Sequence, residues 1–210
     1  MSTIAILPIK SFTDAKQRLA VELTSGPRQA LVEAMFADVL VALRRASSVT
    51  DILVVTVDHS AQQIAGGHGA TVMDDQQTGH NPAATLGIGH AIERRYERAL
   101  LVPGDCPTLD PGELDGLLAR DARARSALVV PDRHGTGTNA LLLTPPDALA
   151  PSFGPGSRER HLENAAAAGV VAEAVEVPSL ALDVDTPEDL AALVAGSDRA
   201  PRTQALLSRC

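Results

Sequence analysis

The chain has 210 residues, of which 45% are hydrophobic and 21% are charged, and its formal net charge is −8 at pH 7. These proportions are typical of a globular protein and argue against a disordered, fibrous or coiled-coil chain. No apolar run approaches the length of a membrane-spanning helix. The acidic balance, with three Phe, one Tyr and no Trp, argues against a surface that binds nucleic acid.

Short apolar runs alternate with helical patterns along the chain. In chain order, the predicted elements are a strand at 4–9, a helix at 27–45, a strand at 52–57, a helix at 61–65, a strand at 70–73, a helix at 83–98, a strand at 100–102, a helix at 111–124, strands at 128–131 and 140–143, a helix at 157–168, strands at 175–177 and 182–184, and a helix at 187–194. This alternation predicts an α/β fold of three layers, with a mostly parallel central sheet covered by helices on both faces.

We expect a single domain over residues 1–195. It is followed by a polar tail over 196–210, which we expect to be frayed or locally docked because the apolar periodicity ends there. The two cysteines, Cys106 and Cys210, do not form a disulfide framework, and the chain enters a strand at residue 4 without a basic leader. Both observations predict a protein of the reducing cytoplasm.

Acidic residues stand at the ends of predicted strands, where an α/β sheet binds its ligands. Asp183 and Asp185 are two residues apart, so a strand would place both on one face, and Asp105 follows Gly104 after another strand. Three neighbouring carboxylates repel one another unless a cation joins them. Because Mg²⁺ prefers oxygen ligands, the set predicts a magnesium site. The alternative is helix capping by Asp185 or Thr186.

Basic residues cluster in the loop after the first strand. Lys10, Lys16 and Arg18 lie there in an otherwise acidic chain, and this position suits cations that bind phosphates. A solvated loop is the alternative. The loop has neither the P-loop pattern nor the dinucleotide-binding glycines, which argues against a P-loop enzyme and a Rossmann dehydrogenase.

Glycine-rich segments mark three further loops. The run 135–139 (GTGTN) offers backbone amides and hydroxyls to an anion or forms a tight hairpin turn. The run 153–157 (FGPGS) leads into a helix, with Ser157 either as N-cap or at an anion site. A third segment, Gly79, His80 and Asn81, precedes another helix. It is interpreted either as a ligand contact or only as a helix cap.

The chemistry that these loops favour is nucleotidyl or phosphoryl transfer. The six histidines are scattered, no nucleophile lies in a catalytic motif, and Cys106 is interpreted as a small packed residue. Positioning and charge neutralisation carry most of the catalysis in phosphoryl transfer. A phosphate acceptor, with a second pKa of about 6, also needs no general base.

Five segments together resemble the 2-phospho-L-lactate guanylyltransferase family, which includes phosphoenolpyruvate and 3-phosphoglycerate guanylyltransferases. They are KSFTDAKQRL, GDCPTLDP, DRHGTGTNALLL, FGPGSRERH and LDVDTPEDL, and the resemblance runs from about residue 4 to residue 193. It implies a glycosyltransferase-A-like nucleotidyltransferase fold. It also implies transfer of GMP from GTP to a small phosphorylated three-carbon acid, with release of pyrophosphate. The product would feed coenzyme F(420) biosynthesis, with a hand-off to a downstream deazaflavin transferase.

The resemblance also implies roles for individual residues. Acids matching Asp105, Asp183 and Asp185 hold Mg²⁺ and, with Lys16, form the catalytic set. The implied nucleotide site comprises Lys10, Lys16, Arg18, Asn81 and Gly104, and the implied acceptor site comprises Thr138, Gly154 and Ser157. Family members often carry G-L-N-x-A near the base pocket, and this chain reads GHNPA at 79–83, with His80 at the Leu position.

Two other functions compete with guanylyl transfer. A molybdenum-cofactor or sugar-phosphate nucleotidyltransferase would share the fold, but its first loop is usually Gly-rich and followed by Arg-Met, unlike KSFTDAKQRL. A non-catalytic nucleotide-binding module would bind GTP without turnover and would tolerate Asp183→Asn.

Overall fold

Seven strands form one sheet in the computed structural model, which describes residues 1–12, 15–21, 23–75, 79–120, 125–196 and 199–208. The strands are β1 (Thr3–Pro8), β2 (Asp51–Val55), β3 (Thr71–Met73), β4 (Arg98–Leu101), β5 (Ser126–Pro131), β6 (Thr138–Thr144) and β7 (Val171–Ala174). Their spatial order is β3-β2-β1-β4-β6-β5-β7. β6 is antiparallel to β4 and β5, and the four other described pairings are parallel. The predicted α/β fold with a mostly parallel sheet is confirmed.

Helices cover both faces of this sheet. They are α1 (Ser25–Arg45), α2 (His59–Gly67), α3 (His80–Glu93), α4 (Pro111–Leu118), α5 (Ser157–Ala167), α6 (Pro187–Gly196) and α7 (Pro201–Leu207). Along β1, Ala5 and Leu7 join the core under α1, α2, α4 and α6, whereas Ile4 and Ile6 join the core under α3 and α5. This alternation produces the predicted three layers. None of the described helices combines the length and apolar content needed to cross a bilayer.

Helix α3 approaches β1 closely at a glycine. A Cβ built on Gly87 would lie 2.4 Å from Cγ2 of Ile6, so the absence of a side chain allows the contact. The helix ends earlier than the predicted 83–98, because Arg95 adopts a left-handed φ of 60° and the chain then turns into β4. α4 ends at Leu118, and residues 121–124 of the predicted helix lie outside the described residues.

The strands predicted at 175–177 and 182–184 are wrong. Val175 and Val177 are apolar because they pack into the core from a loop. The segment 182–184 pairs with no described strand and instead lies against a loop, where the amide of Val184 donates to the carbonyl of Asp105 at 3.1 Å. Among the described strands, the actual seventh strand, β7, pairs only with β5 and is half exposed. Its sequence VAEA therefore has too few apolar residues to be predicted as a strand.

The described part of the C-terminal tail is docked, and it is helical. α7 packs against α1, where the buried carboxylate of Asp38 accepts hydrogen bonds from the amides of Arg202 (3.2 Å) and Thr203 (2.9 Å) and from the Thr203 hydroxyl (2.8 Å). Asp38 thus satisfies amides at the start of α7 that have no partner within that helix. Cys210 lies outside the described residues.

Candidate active site

The ammonium group of Lys16 lies between two carboxylates at the carboxyl edge of the sheet. Its Nζ donates to Asp105, in the loop after β4, and to Asp185, in the loop before α6. The Lys16 side chain is only 7% exposed, and its backbone φ of 54° is uncommon for a residue other than glycine. Burial opposes the charged form, but Asp105 and Asp185 outweigh burial and raise the pKa of Lys16. The structure therefore brings together three residues of the predicted catalytic set.

Asp183, the fourth predicted catalytic residue, lies beside this cluster. Burial and then the negative charge of Asp105 raise the pKa of Asp183. The Nδ2 of Asn139 donates to Asp183 Oδ1 at 3.2 Å and to the carbonyl of Leu180 at 2.7 Å. Asn139 therefore orients the carboxylate and holds its loop. Asp183 and Asp185 lie close together because of the shape of this loop, since the strand predicted at 182–184 does not form.

The donor chemistry of the cluster fits a hard cation. The Oδ1 of Asp105 is buried and has no hydrogen-bond partner within the described part of the chain, and a buried carboxylate oxygen needs one. As arranged here, no group of three or more His, Cys, Asp or Glu side chains among the described residues could hold a metal ion. The positive charge between Asp105 and Asp185 is the Lys16 ammonium.

Thr186 and Asp189 cap the start of α6 through reciprocal hydrogen bonds. The Asp189 carboxylate accepts hydrogen bonds from the amides of Asp185 (3.1 Å) and Thr186 (2.8 Å), and the Thr186 hydroxyl accepts from the Asp189 amide at 3.3 Å. These reciprocal bonds resemble a capping box. Burial acts against them, but the bonds to Thr186 and Asp185 lower the pKa of Asp189. Thr186 and Asp189 cap the helix, so the Asp185 carboxylate is left to bind Lys16.

A cavity of about 470 Å³ opens beside the cluster. Lys10, Lys16 and Gly104 of the predicted nucleotide site line it, together with His80. A Cβ on Gly104 would lie 2.6 Å from Cδ1 of Ile9, so glycine allows this wall to pack closely. Burial and then the charge of Lys10 lower the pKa of His80. Arg18 is exposed on the 3₁₀ turn Gln17–Val21, outside the described lining of the cavity.

Asn81 does not join this cavity. Its Nδ2 donates to the carbonyl of Phe153 at 3.1 Å, and its Oδ1 accepts from the Phe153 amide at 2.7 Å. The side-chain amide therefore connects the start of α3 to the 151–156 loop. In this arrangement both polar atoms of the Asn81 side chain have backbone partners in Phe153, and the nucleotide contact stays a prediction.

The loop 132–137 is a hairpin turn that joins β5 to β6, as the structural alternative for GTGTN predicted. Asp132 fixes its shape by accepting from the Thr136 amide at 3.0 Å. Arg133 fixes its position, since its guanidinium lies 2.6 Å from Asp189. The hairpin thereby places Thr138, the first residue of β6, at the same edge of the sheet as the acids.

The predicted acceptor residues Thr138, Gly154 and Ser157 lie on three segments that converge. Ser157 is the first residue of α5, whose N-cap is Gly156 in a left-handed conformation, so the prediction of Ser157 as N-cap is wrong by one residue. Gly154 has a φ of 120°, which only glycine adopts readily. The Arg160 guanidinium holds this loop by donating to the carbonyls of Ser152 and Pro155.

His161 joins these three segments at their centre, although the sequence pattern gave it no role. It contacts Thr138 through Nδ1 and the backbone of Ser152 through Nε2. Asn139 and Asp189 were also missed. The adjacency of Asn139 to Thr138, and the Thr-x-x-Asp spacing of the capping pair, are the signals that could have found them.

Cys106 is buried and packed, as predicted. Its Sγ lies 3.7 Å from the carbonyl of Leu180. Burial, followed by the charges of Asp105 and Asp183, raises the pKa of the thiol well above its ordinary value. Because the thiolate is the reactive form, this cysteine is not a nucleophile.

Comparison with known proteins matches residues 3–206 to a family model described as "Guanylyl transferase CofC like". A phosphoenolpyruvate guanylyltransferase from Conexibacter woesei is 53% identical over 195 residues, which cover 92% of this chain and 87% of that protein. A 3-phospho-D-glycerate guanylyltransferase from Colwellia psychrerythraea is 34% identical over 210 residues, which cover 100% of this chain and 99% of that protein.

Solved structures agree on the fold. A putative nucleotide-diphospho-sugar transferase from Desulfovibrio desulfuricans has a TM-score of 0.78 at 18% identity, covering 100% of this chain and 95% of its own. A nucleotidyl transferase from Methanothermobacter thermautotroptrophicus has a TM-score of 0.66 at 15% identity, covering 100% of this chain and 99% of its own. The predicted nucleotidyltransferase-type fold is therefore confirmed.

Proposed function

The chain belongs to the CofC-like guanylyl transferase family, and on that premise we propose that it transfers GMP from GTP to a small phosphorylated three-carbon acid and releases pyrophosphate. The observation that carries this proposal is the Lys16 ammonium held between Asp105 and Asp185 at the mouth of a cavity of about 470 Å³. This arrangement combines a buried cation with carboxylates, the ligand type that Mg²⁺ prefers, beside space for a nucleotide.

The reaction exchanges one phosphoanhydride bond for another. A phosphate oxygen of the acceptor attacks the α-phosphorus of GTP, the bond from that phosphorus to the bridging oxygen of the β-phosphate breaks, and pyrophosphate leaves with the bonding electrons. The acceptor phosphate has a second pKa of about 6 and is largely a dianion at neutral pH. No general base is required, which agrees with an active site built from one lysine and three acids.

The chain supplies positive charge where negative charge accumulates. Lys10 and Lys16 line the cavity and would bind the phosphates of GTP, with Arg18 at the outer end of the same loop. Bound Mg²⁺, held by Asp105, Asp183 and Asp185, would neutralise phosphate oxygens and so favour attack. The unpartnered Oδ1 of Asp105 supports this assignment. Gly104 lines the same cavity and would lie against the nucleotide.

Thr138, Gly154 and Ser157 would bind the acceptor acid. They come from β6, the 151–156 loop and the first turn of α5, and their hydroxyl and backbone groups can donate to carboxylate and phosphate oxygens. Phosphoenolpyruvate is the acceptor to test first, because the relative from Conexibacter woesei carries that name. 3-Phosphoglycerate and 2-phospho-L-lactate are the other candidates. The product would pass to a deazaflavin transferase in coenzyme F(420) biosynthesis.

Pyrophosphate release tests the proposal. The protein is incubated with Mg²⁺, each of GTP, ATP, CTP and UTP, and each of the three acids. We expect turnover with GTP and one acid, and a loss of about 100-fold or more in Asp183→Asn. Asp147→Asn is the matched control, because Asp147 is 59% exposed and lies in the turn after β6. The proposal would be refuted if no combination released pyrophosphate above a control without enzyme, or if both variants were equally active.

A further inference from the structure

His161 is a fully buried histidine that connects three segments of the candidate acceptor site. It lies on the second turn of α5 and is 0% exposed. Its Nε2 lies 2.9 Å from the amide nitrogen of Ser152, and its Nδ1 lies 3.1 Å from the hydroxyl oxygen of Thr138. The ring also packs edge-on against Phe153, with centroids 5.2 Å apart. One side chain thereby spans β6, the 151–156 loop and α5.

The hydrogen-bond partners determine which nitrogen carries the proton. A backbone amide can only donate, so Nε2 accepts from Ser152 and has no hydrogen. In the neutral ring the hydrogen then lies on Nδ1, which faces the Thr138 hydroxyl. Burial and then the adjacent Arg160 lower the pKa of His161 to about 4. The ring is therefore neutral at physiological pH.

This tautomer sets the direction of the next hydrogen bond. Because Nδ1 donates, the Thr138 oxygen accepts, and its own hydrogen is left to be donated to another group. Thr138 is 9% exposed, which limits the positions from which an acceptor atom can reach it. A hydroxyl held in this way recognises an anionic oxygen better than one that must first reorient.

We propose that His161 is a positioning residue of the acceptor site, which holds the Thr138 hydroxyl as a hydrogen-bond donor to a carboxylate or phosphate oxygen of the phosphorylated acid. This inference rests on the proposed function. It predicts that His161 acts on acceptor affinity through Thr138 and leaves the nucleotide site unchanged.

Two amide substitutions separate the two nitrogens of the ring. In His161→Asn the shorter amide reaches the position of Nδ1 and can still donate to Thr138. In His161→Gln the longer amide reaches the position of Nε2 and keeps the bond to Ser152, but it no longer contacts Thr138. We expect His161→Gln to raise the KM for the acceptor about tenfold, whereas the KM for GTP and kcat change by less than about twofold.

His161→Asn should restore acceptor KM to within about threefold of wild type. In the double variant Thr138→Val with His161→Gln, acceptor KM should equal that of Thr138→Val alone, because both changes remove the same donor. Glu163→Gln, at an exposed position of the helix that carries His161, is the matched control. Nitrogen-15 NMR of the imidazole should show hydrogen on Nδ1, and this readout requires no activity.

Several results would overturn the inference. Additive effects in the double variant, an equal rise in the KM for GTP, or an NMR spectrum with hydrogen on Nε2 would each refute the positioning role while the wild type still turns over. If the wild-type protein released no pyrophosphate with GTP and any of the three acids, the proposed function would be refuted, and the positioning role with it.

Discussion

Asn81 and Phe153 lie 72 positions apart in the sequence, yet the side chain of the first exchanges two hydrogen bonds with the backbone of the second. The start of α3, which lines the cavity beside Lys16 through His80, is thereby connected to the loop that carries Gly154. Asn81 is a brace between the two sides of the candidate site.

Asn81→Ala should weaken acceptor binding more than nucleotide binding. The change removes both hydrogen bonds and leaves the backbone groups of Phe153 without them, at an expected cost of about 1–3 kcal/mol in the free energy of unfolding. We expect acceptor KM to rise at least about fivefold with little change in the KM for GTP. Glu93→Gln, at an exposed position of the same helix, is the control. A rise confined to the KM for GTP would show that Asn81 contacts the nucleotide.

Lys16→Met should abolish most of the activity. The ammonium group is the only cation that the described hydrogen bonds place between Asp105 and Asp185, and we expect kcat/KM for GTP to fall about 100-fold or more. Arg120→Gln provides the control, because it removes one positive charge from an exposed ion pair with Glu173. A Lys16→Met enzyme within about threefold of wild type would contradict this role.

His161 should make stability depend on pH. Its pKa is about 4 in the folded protein against an ordinary value of 6.5, so between these values the unfolded chain binds more protons. The free energy of unfolding should therefore fall as the pH is lowered from 6.5 to 4, by at most about 3 kcal/mol from this residue. Urea unfolding at pH 7 and at pH 4.5 measures the loss, which should be smaller in His161→Asn. An identical loss in both proteins would contradict the prediction.

Asp38→Ala should detach α7 from α1. The substitution leaves the amides of Arg202 and Thr203 without their buried acceptor, and it should lower the free energy of unfolding by about 2–3 kcal/mol. Arg202→Ala is the matched control. Its guanidinium is half exposed and lies 3.7 Å from Asp38, so its loss should cost less than about 1 kcal/mol. Equal losses would indicate that the ion pair, not the capping of α7, holds the tail.

The sequence predicted the parallel part of the sheet well because those strands are buried on both faces. Leu53 and Val54 of β2, for example, are fully buried, and such runs stand out as uninterrupted apolar segments. β7 was missed because an edge strand needs few apolar residues. The segment 182–184 was mistaken for a strand because Val184 is buried, which periodicity alone does not distinguish from pairing.

The acids and Lys16 could be predicted because charged residues at strand ends stand out against an apolar chain. The bonding partners of each side chain could not be predicted, because they come from residues distant in sequence. The positive charge between Asp105 and Asp185 proved to be on Lys16, and Asn81 turned towards Phe153. The role of His161 depends on Ser152, whose amide has no signature in the sequence.

The reversed direction of β6 makes the acceptor half of the site a separable unit of the chain. Since this strand runs against β4, its first residue, Thr138, lies where the parallel strands end. Residues 126–174 contain the three predicted acceptor residues and His161, whereas Lys16 and the three acids all lie outside this block. On the proposed function, a single recombination event that exchanges this block between relatives changes the acceptor residues and retains Lys16 and the three acids, provided that the incoming block keeps Asn139, which orients Asp183.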